Sequence, residues 1–200
     1  AGVAGLQAIA TARRLGAMVS ATDVRPAAKE QVGSLGAKFI AVEDEEFKAA
    51  ETAGGYAKEM SKDYQAKQAE LIAAHIAKQD IVVTTALIPG RPAPKLITRK
   101  MVTAMKPGSV IIDLAAAMGG NCELTKADQI VEEGGVKIAG YSNLPGRLAA
   151  DSSALYAKNL LNLLPLLINE DGSKSPHWDD EIITAMALTR DGKVIHDTLK

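Results

Sequence analysis

Apolar positions along the chain follow two different periods. Helical spacing covers residues 4–15 and 63–78, and short apolar runs rich in β-branched residues lie between the helical stretches. The runs that we predict as strands are 17–23, 37–40, 80–85, 109–113 and 136–141. Strands that are apolar on both faces are typical of a parallel sheet covered by helices. The alternation of helices and strands predicts an α/β fold with a doubly wound, Rossmann-like parallel sheet.

Turn and capping residues set the boundaries of these elements. Gly16 ends the first predicted helix, and Pro26 suits the first turn of the second, which ends at Gly36. Thr98 is expected to cap a short helix that ends at Met105. Each boundary falls where the apolar period changes, which supports the alternating arrangement.

An insertion and the carboxyl-terminal region depart from this alternation. The stretch 43–60 is too long for a tight connection between a strand and a helix. Residues 144–168 are predicted as one long apolar helix, and the polar remainder contains a hairpin around 190–192. We therefore expect a Rossmann-like domain, a connecting helix and a portion of a second α/β domain, at 1–150, 151–168 and 169–200.

Composition and charge argue against two classes of protein. The formal net charge of −1 provides no broad electrostatic attraction to nucleic acid, so we expect no nucleic-acid partner. The longest apolar run, 160–168, is shorter than the roughly 20 residues that span a bilayer, and Asn162 and Pro165 interrupt it. No charged-then-apolar leader is found, so nothing in the chain indicates export.

Cysteine and histidine usage argue against a disulfide and a metal site. Cys122 is the single cysteine, which rules out an internal disulfide and suits a reducing compartment. The three histidines lie far apart without the spacing of metal ligands. We therefore expect no bound metal, and no Ser-His-Asp or Cys-His catalytic arrangement.

The first residues, AGVAGL, match the second half of the glycine-rich turn G-x-G-x-x-G. Gly2 and Gly5 fit its second and third glycines, Val3 follows Gly2, and a helical pattern begins at once. Such a turn brings the backbone close to a pyrophosphate at the positive end of a helix. Two glycines at this spacing are weak evidence, so an ordinary turn stays the alternative.

Asp23 closes the next predicted strand, at the distance of about 20 residues where a carboxylate accepts hydrogen bonds from an adenosine ribose. A carboxylate at this point repels a 2′-phosphate and therefore favours NAD over NADP. Arg25 leaves two interpretations open. A nearby arginine accommodates that phosphate, but it equally stacks on adenine or pairs with the pyrophosphate.

The first glycine of the turn and the strand before it would precede Ala1. In the strand order 3-2-1-4-5-6 that first strand is central, between the second and the fourth. Its absence would leave unpaired backbone groups on both neighbours. We therefore expect a sheet that lacks its first strand, in a chain that is a segment of a longer polypeptide.

Four segments resemble the NAD(H)-binding component of proton-translocating nicotinamide nucleotide transhydrogenase, a family related to alanine dehydrogenase. They are SATDVRPAAKEQVGSLGAKFI, ETAGGYAKEM, TTALIPGRPAPKLIT and IIDLAAAMGGNCE. The likeness runs from Ala1 to about Ile168. The segment ETAGGYAKEM separates the transhydrogenase from alanine dehydrogenase, because it is similar to the mobile loop that closes over the nucleotide.

The resemblance implies a set of nucleotide contacts. Carried over by position, they fall on Val3, Asp23, Val24 and Arg25, on Gly55 in the mobile loop, and on Ala86 and Leu87 near the nicotinamide end. Tyr56 would lie at the tip of that loop. The family residues that orient the nicotinamide lie upstream of Ala1, so we expect no catalytic residue within this chain.

The resemblance also implies a function. The chain would bind NADH and present it to NADP⁺ held by a separate component, with the reaction coupled to proton passage through a membrane component. The family implies a homodimer. It also implies a soluble domain at the cytoplasmic face of a bacterial inner membrane, or at the matrix side in mitochondria.

Two other functions stay open from the sequence. One is an alanine-dehydrogenase-like NAD-dependent oxidoreductase that reduces pyruvate and ammonia, and the other is a non-catalytic nucleotide-binding module. Asp113 is similarly ambiguous, because it ends a strand at the edge where ligands bind in such folds but also suits a cap for the alanine-rich turn.

Overall fold

The computed structural model describes residues 1–50, 60–88 and 90–199 of the chain. The chain divides into two compact units, Ala1–Leu144 and Pro145–Lys200. Each unit has its own secondary structure and is considered separately below. The three-way division expected from the sequence, with boundaries at 150 and 168, stays a prediction.

The first unit alternates helices and strands, as the sequence predicts. Its helices are α1 (Val3–Arg14), α2 (Ala27–Ser34), α3 (Glu45–Lys48), α4 (Lys62–Ile76) and α5 (Arg99–Thr103). Its strands are β1 (Ser20–Ala21), β2 (Lys38–Phe39), β3 (Ile81–Thr84), β4 (Val110–Asp113), β5 (Ile130–Glu133) and β6 (Val136–Ala139). A 3-10 turn, Ala116–Met118, follows β4. The α/β fold class is therefore confirmed.

The strands of the first unit form two separate sheets. The larger has the order β3-β4-β6-β5, and the smaller is the parallel pair β1-β2. Strands β3, β4 and β6 are parallel, with Thr84 opposite Asp113 at the carboxyl ends of β3 and β4. Within the described residues, β1 and β3 belong to different sheets.

Strand β5 is absent from the elements predicted by the pattern, and it runs antiparallel to β6. The two strands are joined by Gly134 and Gly135, whose φ angles are +59° and +80°. Two glycines with positive φ make the tight turn that antiparallel hairpins favour. The sequence does contain a signal for this hairpin, in the β-branched pair Ile130-Val131 followed two residues later by Gly-Gly.

Three apolar clusters support the first unit. The largest packs α4 and α5 against the larger sheet through buried residues that include Ile76, Met101, Val102, Ile111 and Ile138. A second cluster centres on Ile9 of α1 and Val32 of α2, beside the smaller sheet. The third is formed by Phe47, Ala50, Met60 and Tyr64, which brings together the two ends of the insertion.

The single long helix predicted over 144–168 is wrong in detail, because the segment is broken twice. A short helix, α6 (Leu144–Arg147), precedes α7 (Ala149–Leu163), and Leu148 between them has φ −125° and ψ 48°, outside the helical region. Pro165 then lies in a 3-10 turn, Leu164–Leu166. Because proline has no N–H to donate and its ring clashes with the preceding turn, α-helical geometry stops before it.

The remainder of the second unit contains α8 (Glu181–Met186), a hairpin of β7 (Thr189–Arg190) and β8 (Lys193–Val194), and a final 3-10 turn, Asp197–Leu199. Asp191 and Gly192 turn the hairpin with positive φ angles of 50° and 75°. The hairpin predicted around 190–192 is therefore observed. Across the described residues of the chain, no helix combines the length and apolar character needed to cross a bilayer.

Candidate functional site

The amino end of α1 is an open, positively polarised helix terminus. Gly2 is its N-cap residue, with φ −79° and ψ −164°, and among the described residues no side chain caps the helix and no acid lies in its first turn. The N–H groups of a first turn lack intrahelical acceptors, and the helix dipole makes this end attractive to anions. Apart from its two chain neighbours, no described residue has an atom within 4 Å of the position that a Cβ on Gly2 would occupy.

Gly5 brings α1 against the carboxyl end of β3. A Cβ built on Gly5 would lie 3.4 Å from Oγ1 of Thr85, the first residue after that strand. This close approach of helix to strand is the role that the third glycine of the fingerprint has in dinucleotide-binding folds. The match of Gly2 and Gly5 to the fingerprint, weak as a sequence pattern, thus agrees with their positions in the fold.

Asp23 follows β1 and lies beside the start of α1. Its Oδ2 is 2.6 Å from the Ala1 nitrogen, and its carboxylate also accepts hydrogen bonds from the Arg25 side chain through Nε at 3.0 Å and Nη2 at 2.9 Å. The Arg25 backbone N–H donates to Oδ1 at 2.9 Å. The structure therefore brings the glycine turn and the Asp23–Arg25 segment together, as the fingerprint requires.

The Asp23 carboxyl is ionised throughout the physiological pH range. Burial opposes its ionisation, but the hydrogen bonds from the side chain and the backbone N–H of Arg25 favour the charged form and hold the pKa of Asp23 below its usual 3.8. The hydrogen bond with Asp23 likewise raises the pKa of the Arg25 guanidinium. A charged carboxylate is able to accept hydrogen bonds from hydroxyl groups, and it repels other anions.

The loop after β3 contains Ala86 and Leu87, the residues expected near a nicotinamide. The backbone N–H of Ala86 donates to Oδ1 of Asn121 at 3.0 Å, and the Ala86 carbonyl accepts from Nδ2 of the same side chain at 2.9 Å. Leu87 is 51% exposed. Thr84, the last residue of β3, has a buried hydroxyl without a hydrogen-bond partner among the described residues. The carboxyl end of β3 thus combines a fixed backbone with an exposed apolar side chain.

Asp113 serves the fold rather than a ligand. It is fully buried, and its carboxylate accepts hydrogen bonds from the Ala115 N–H at 3.0 Å, the Cys122 N–H at 3.0 Å and the Thr125 hydroxyl at 2.6 Å. Burial opposes ionisation of Asp113, but these hydrogen bonds dominate and lower its pKa. Of the two roles considered from the sequence, the cap of the following turn is the one observed.

The predicted contacts fall into three groups. Gly2 and Val3 lie at the start of α1, and Asp23 to Arg25 lie beside them. Ala86 and Leu87 lie on the loop that begins at Thr85, which α1 approaches through Gly5. Gly55 and Tyr56 lie outside the described residues. Asn121 was missed by sequence reasoning, and the one available signal was a polar residue directly after the pair Gly119-Gly120.

Comparisons with known proteins agree with this arrangement. A family model described as "Alanine dehydrogenase/PNT, C-terminal domain" matches residues 1–197. The chain is 59% identical over 199 residues to an NAD(P) transhydrogenase subunit alpha protein of Rhodospirillum rubrum, and the match covers 99% of this chain and 52% of that protein. It is 36% identical over 134 residues to alanine dehydrogenase 1 of Staphylococcus aureus, where the match covers 65% of this chain and 36% of that protein.

A solved structure gives the same result. The crystal structure of transhydrogenase from Sinorhizobium meliloti matches with a TM-score of 0.79 and 58% identity, over 98% of this chain and 50% of that one. The chain thus spans about half the length of this structure and of the Rhodospirillum protein. These comparisons confirm the resemblance found in the sequence, and the chain belongs to the alanine dehydrogenase/PNT C-terminal domain family.

Proposed function

We propose that this chain is the NAD(H)-binding portion of a proton-translocating transhydrogenase alpha subunit. The observation that carries the proposal is the convergence of the uncapped α1 terminus, the ionised Asp23 and the loop at Ala86 on one edge of the first unit. The 59% identity to a transhydrogenase alpha subunit over nearly the whole chain supports this function over that of an alanine dehydrogenase, where the identity is 36%.

The residues present fit a dinucleotide. The open space at Gly2 and the N–H groups of the first turn of α1 suit a pyrophosphate. Asp23 would accept the ribose hydroxyls, with Val24 and Arg25 on the adenosine side. Ala86 and Leu87 would form a wall at the nicotinamide end, and Gly55 would close on the nucleotide by resemblance to the family.

Asp23 also supports selectivity for NAD(H) over NADP(H). Its carboxylate accepts hydrogen bonds from the side chain and the backbone N–H of Arg25, which favour its charged form beside the α1 terminus. An ionised carboxylate close to a 2′-phosphate is unfavourable by like-charge repulsion. Arg25 is paired with Asp23 in this arrangement, which occupies the guanidinium that could otherwise receive a phosphate.

In the proposed reaction NADH supplies a hydride that NADP⁺ accepts, giving NAD⁺ and NADPH with no proton moved at carbon. The chain would contribute binding and orientation, not an acid or a base. We further propose that NADP(H) is held by a partner component, that a membrane component couples the reaction to proton passage, and that the subunit works as a homodimer. Its place would be the cytoplasmic face of a bacterial inner membrane or the mitochondrial matrix side.

A labelled-hydride experiment tests this proposal. The intact alpha subunit is mixed with the NADP(H)-binding component, NADH deuterated at the transferred position, and NADP⁺. Deuterium in the NADPH formed, with none lost to solvent, is the expected result. Oxidation of NADH that requires pyruvate and ammonia but not NADP⁺ would instead identify an alanine-dehydrogenase activity. NADH binding without either reaction would leave only a nucleotide-binding module and contradict the proposal.

A further inference from the structure

Asn121 joins the loop after β3 to the loop after β4. Its side chain is fully buried and forms two opposed hydrogen bonds with one residue, accepting from the Ala86 N–H at 3.0 Å and donating to the Ala86 carbonyl at 2.9 Å. The other N–H of the amide donates to the Pro94 carbonyl at 2.9 Å. Every donor of the side chain is therefore used, and the loop is held at two points.

This arrangement requires a side-chain amide of this length. An amide offers an acceptor oxygen and two N–H donors, whereas a carboxylate offers acceptors only. Since the Ala86 N–H needs an acceptor and the carbonyls of Ala86 and Pro94 need donors, the orientation of the amide is fixed by its partners. An aspartate of the same shape would place a lone pair against each of the two carbonyls.

Asn121 is itself held rigidly. Its backbone carbonyl accepts from the N–H groups of Leu96 at 2.8 Å and Ile97 at 3.1 Å. The next residue, Cys122, donates its N–H to the buried Asp113 at the end of β4. The Lys95 ammonium donates to the carbonyls of Gly119 at 2.6 Å and Gly120 at 2.9 Å. Position 121 is thus tied to the end of β4 and to residues 95–97 by contacts within the chain.

We propose that Asn121 is a positioning residue that holds the Ala86–Leu87 backbone ready for the nicotinamide end of the dinucleotide. The inference rests on the proposed function, because that function assigns Ala86 and Leu87 to the nucleotide. Since both backbone groups of Ala86 are bound to Asn121, Ala86 would meet the nucleotide through van der Waals contact. The adjacent, half-exposed Leu87 would complete that wall.

The substitution Asn121→Asp in the intact subunit, assayed with its partner components, tests the proposal. We expect the hydride-transfer rate per folded molecule to fall at least ~10-fold at about pH 8, with a smaller change in NADH affinity, because the adenosine half of the site is untouched. Burial raises the pKa of an introduced carboxyl. Acidification would therefore restore a donor and raise the activity of the variant relative to the wild type.

Asn162→Asp is the matched control, because it makes the same chemical change on an exposed residue of α7. We expect it to keep the wild-type rate and pH profile. A lower melting temperature of Asn121→Asp, with wild-type rate per folded molecule and no recovery at low pH, would mean that Asn121 only stabilises the fold. That result would overturn the proposal.

Hydrogen exchange on the wild-type subunit tests the same point without a variant, in case Asn121→Asp does not fold. The Ala86 amide is expected to be protected already in the absence of nucleotide. Exchange at the rate of an open loop, slowed only when NADH is added, would overturn the inference. If the wild type binds no NADH, the proposed function fails, while Ala86 protection without nucleotide would still report whether Asn121 holds the loop.

Discussion

Two carboxylates of the first unit each accept several hydrogen bonds from the chain but differ in where they lie in the fold. Asp113 is fully buried and accepts hydrogen bonds from three groups of the chain that follows β4, so its carboxylate is satisfied within the protein. Asp23 follows β1, beside the start of α1, and its partners there are Arg25 and the Ala1 nitrogen. The first acid secures the turn after β4, and the second lies at the edge where we place the nucleotide.

At this scale the sequence predicted some residues and not others for a physical reason. Asp23 could be predicted because it lies at a characteristic distance along the chain from the glycine turn, and the geometry of the fold imposes that spacing. The role of Asn121 depends on its contacts with Ala86 and Pro94, which lie 35 and 27 residues away along the chain. No local pattern encodes such a contact, so only the folded structure reveals it.

Gly120 is expected to be intolerant of a side chain. Its φ is +80°, and a Cβ would lie 2.7 Å from both Oδ2 of Asp113 and Cβ of Thr125. We expect Gly120→Ala to lower the free energy of unfolding by about 2–4 kcal/mol, from backbone strain and overpacking together. Chemical denaturation of the intact subunit measures this.

The neighbouring Gly119 provides the control for that substitution. Its φ is +95°, but no described atom lies within 4 Å of its Cβ position. Gly119→Ala should therefore show the backbone cost alone, about 1 kcal/mol. Equal effects of the two substitutions would mean that the crowding around Asp113 contributes nothing to stability.

Among the elements, long periodic segments were predicted best. Helices α1 and α4 and strands β3, β4 and β6 lie where the pattern placed them, because burial of one face or of a whole strand fixes their periods. Strand β1 is only two residues long, although the apolar run covers 17–23. The length of β1 depends on how many residues of the run pair with the neighbouring strand. The spacing of apolar residues in the run does not encode that pairing.

The start of α4 is expected to depend on Ser61, which also links both ends of the insertion. The Ser61 hydroxyl accepts from the Tyr64 N–H at 3.2 Å and donates to Glu46 of α3 at 2.6 Å. Ser61→Ala removes the cap and this link, and should lower the free energy of unfolding by about 1–2 kcal/mol. Thermal and chemical denaturation both report that change.

Ser34→Ala is a suitable comparison, because the Ser34 hydroxyl is exposed and donates to the Gln31 carbonyl in its own helix. Its effect should stay within about 0.5 kcal/mol, as for other exposed polar positions. If Ser61→Ala is equally mild, the hydrogen bonds of Ser61 do not stabilise the junction of α3 and α4.

At the scale of the whole molecule, the described site residues belong to the first unit. The N-terminus of α1, the end of β1 and the end of β3 bring together residues 1–5, 23–25 and 85–87. The fingerprint spacing predicted that residues 1–5 and 23–25 meet, and the family resemblance implied that Ala86 and Leu87 lie near the nicotinamide end of the same site. It did not predict that β5 would close the larger sheet as an antiparallel edge strand.

The central claim is that Asp23 selects NADH at this edge, and a binding titration tests it most directly. The intact subunit is titrated with NADH and with NADPH by nucleotide fluorescence, as wild type, as Asp23→Asn and as Asp80→Asn. Asp80 is an exposed acid at the opposite, amino end of β3 and serves as the matched control.

We expect the wild type and Asp80→Asn to prefer NADH. In Asp23→Asn the NADH affinity should fall about tenfold to a hundredfold, the effect of losing hydrogen bonds to a charged group, and the discrimination against NADPH should fall with it. Equal binding of NADH and NADPH by the wild type, or an unchanged preference in Asp23→Asn, would contradict the claim.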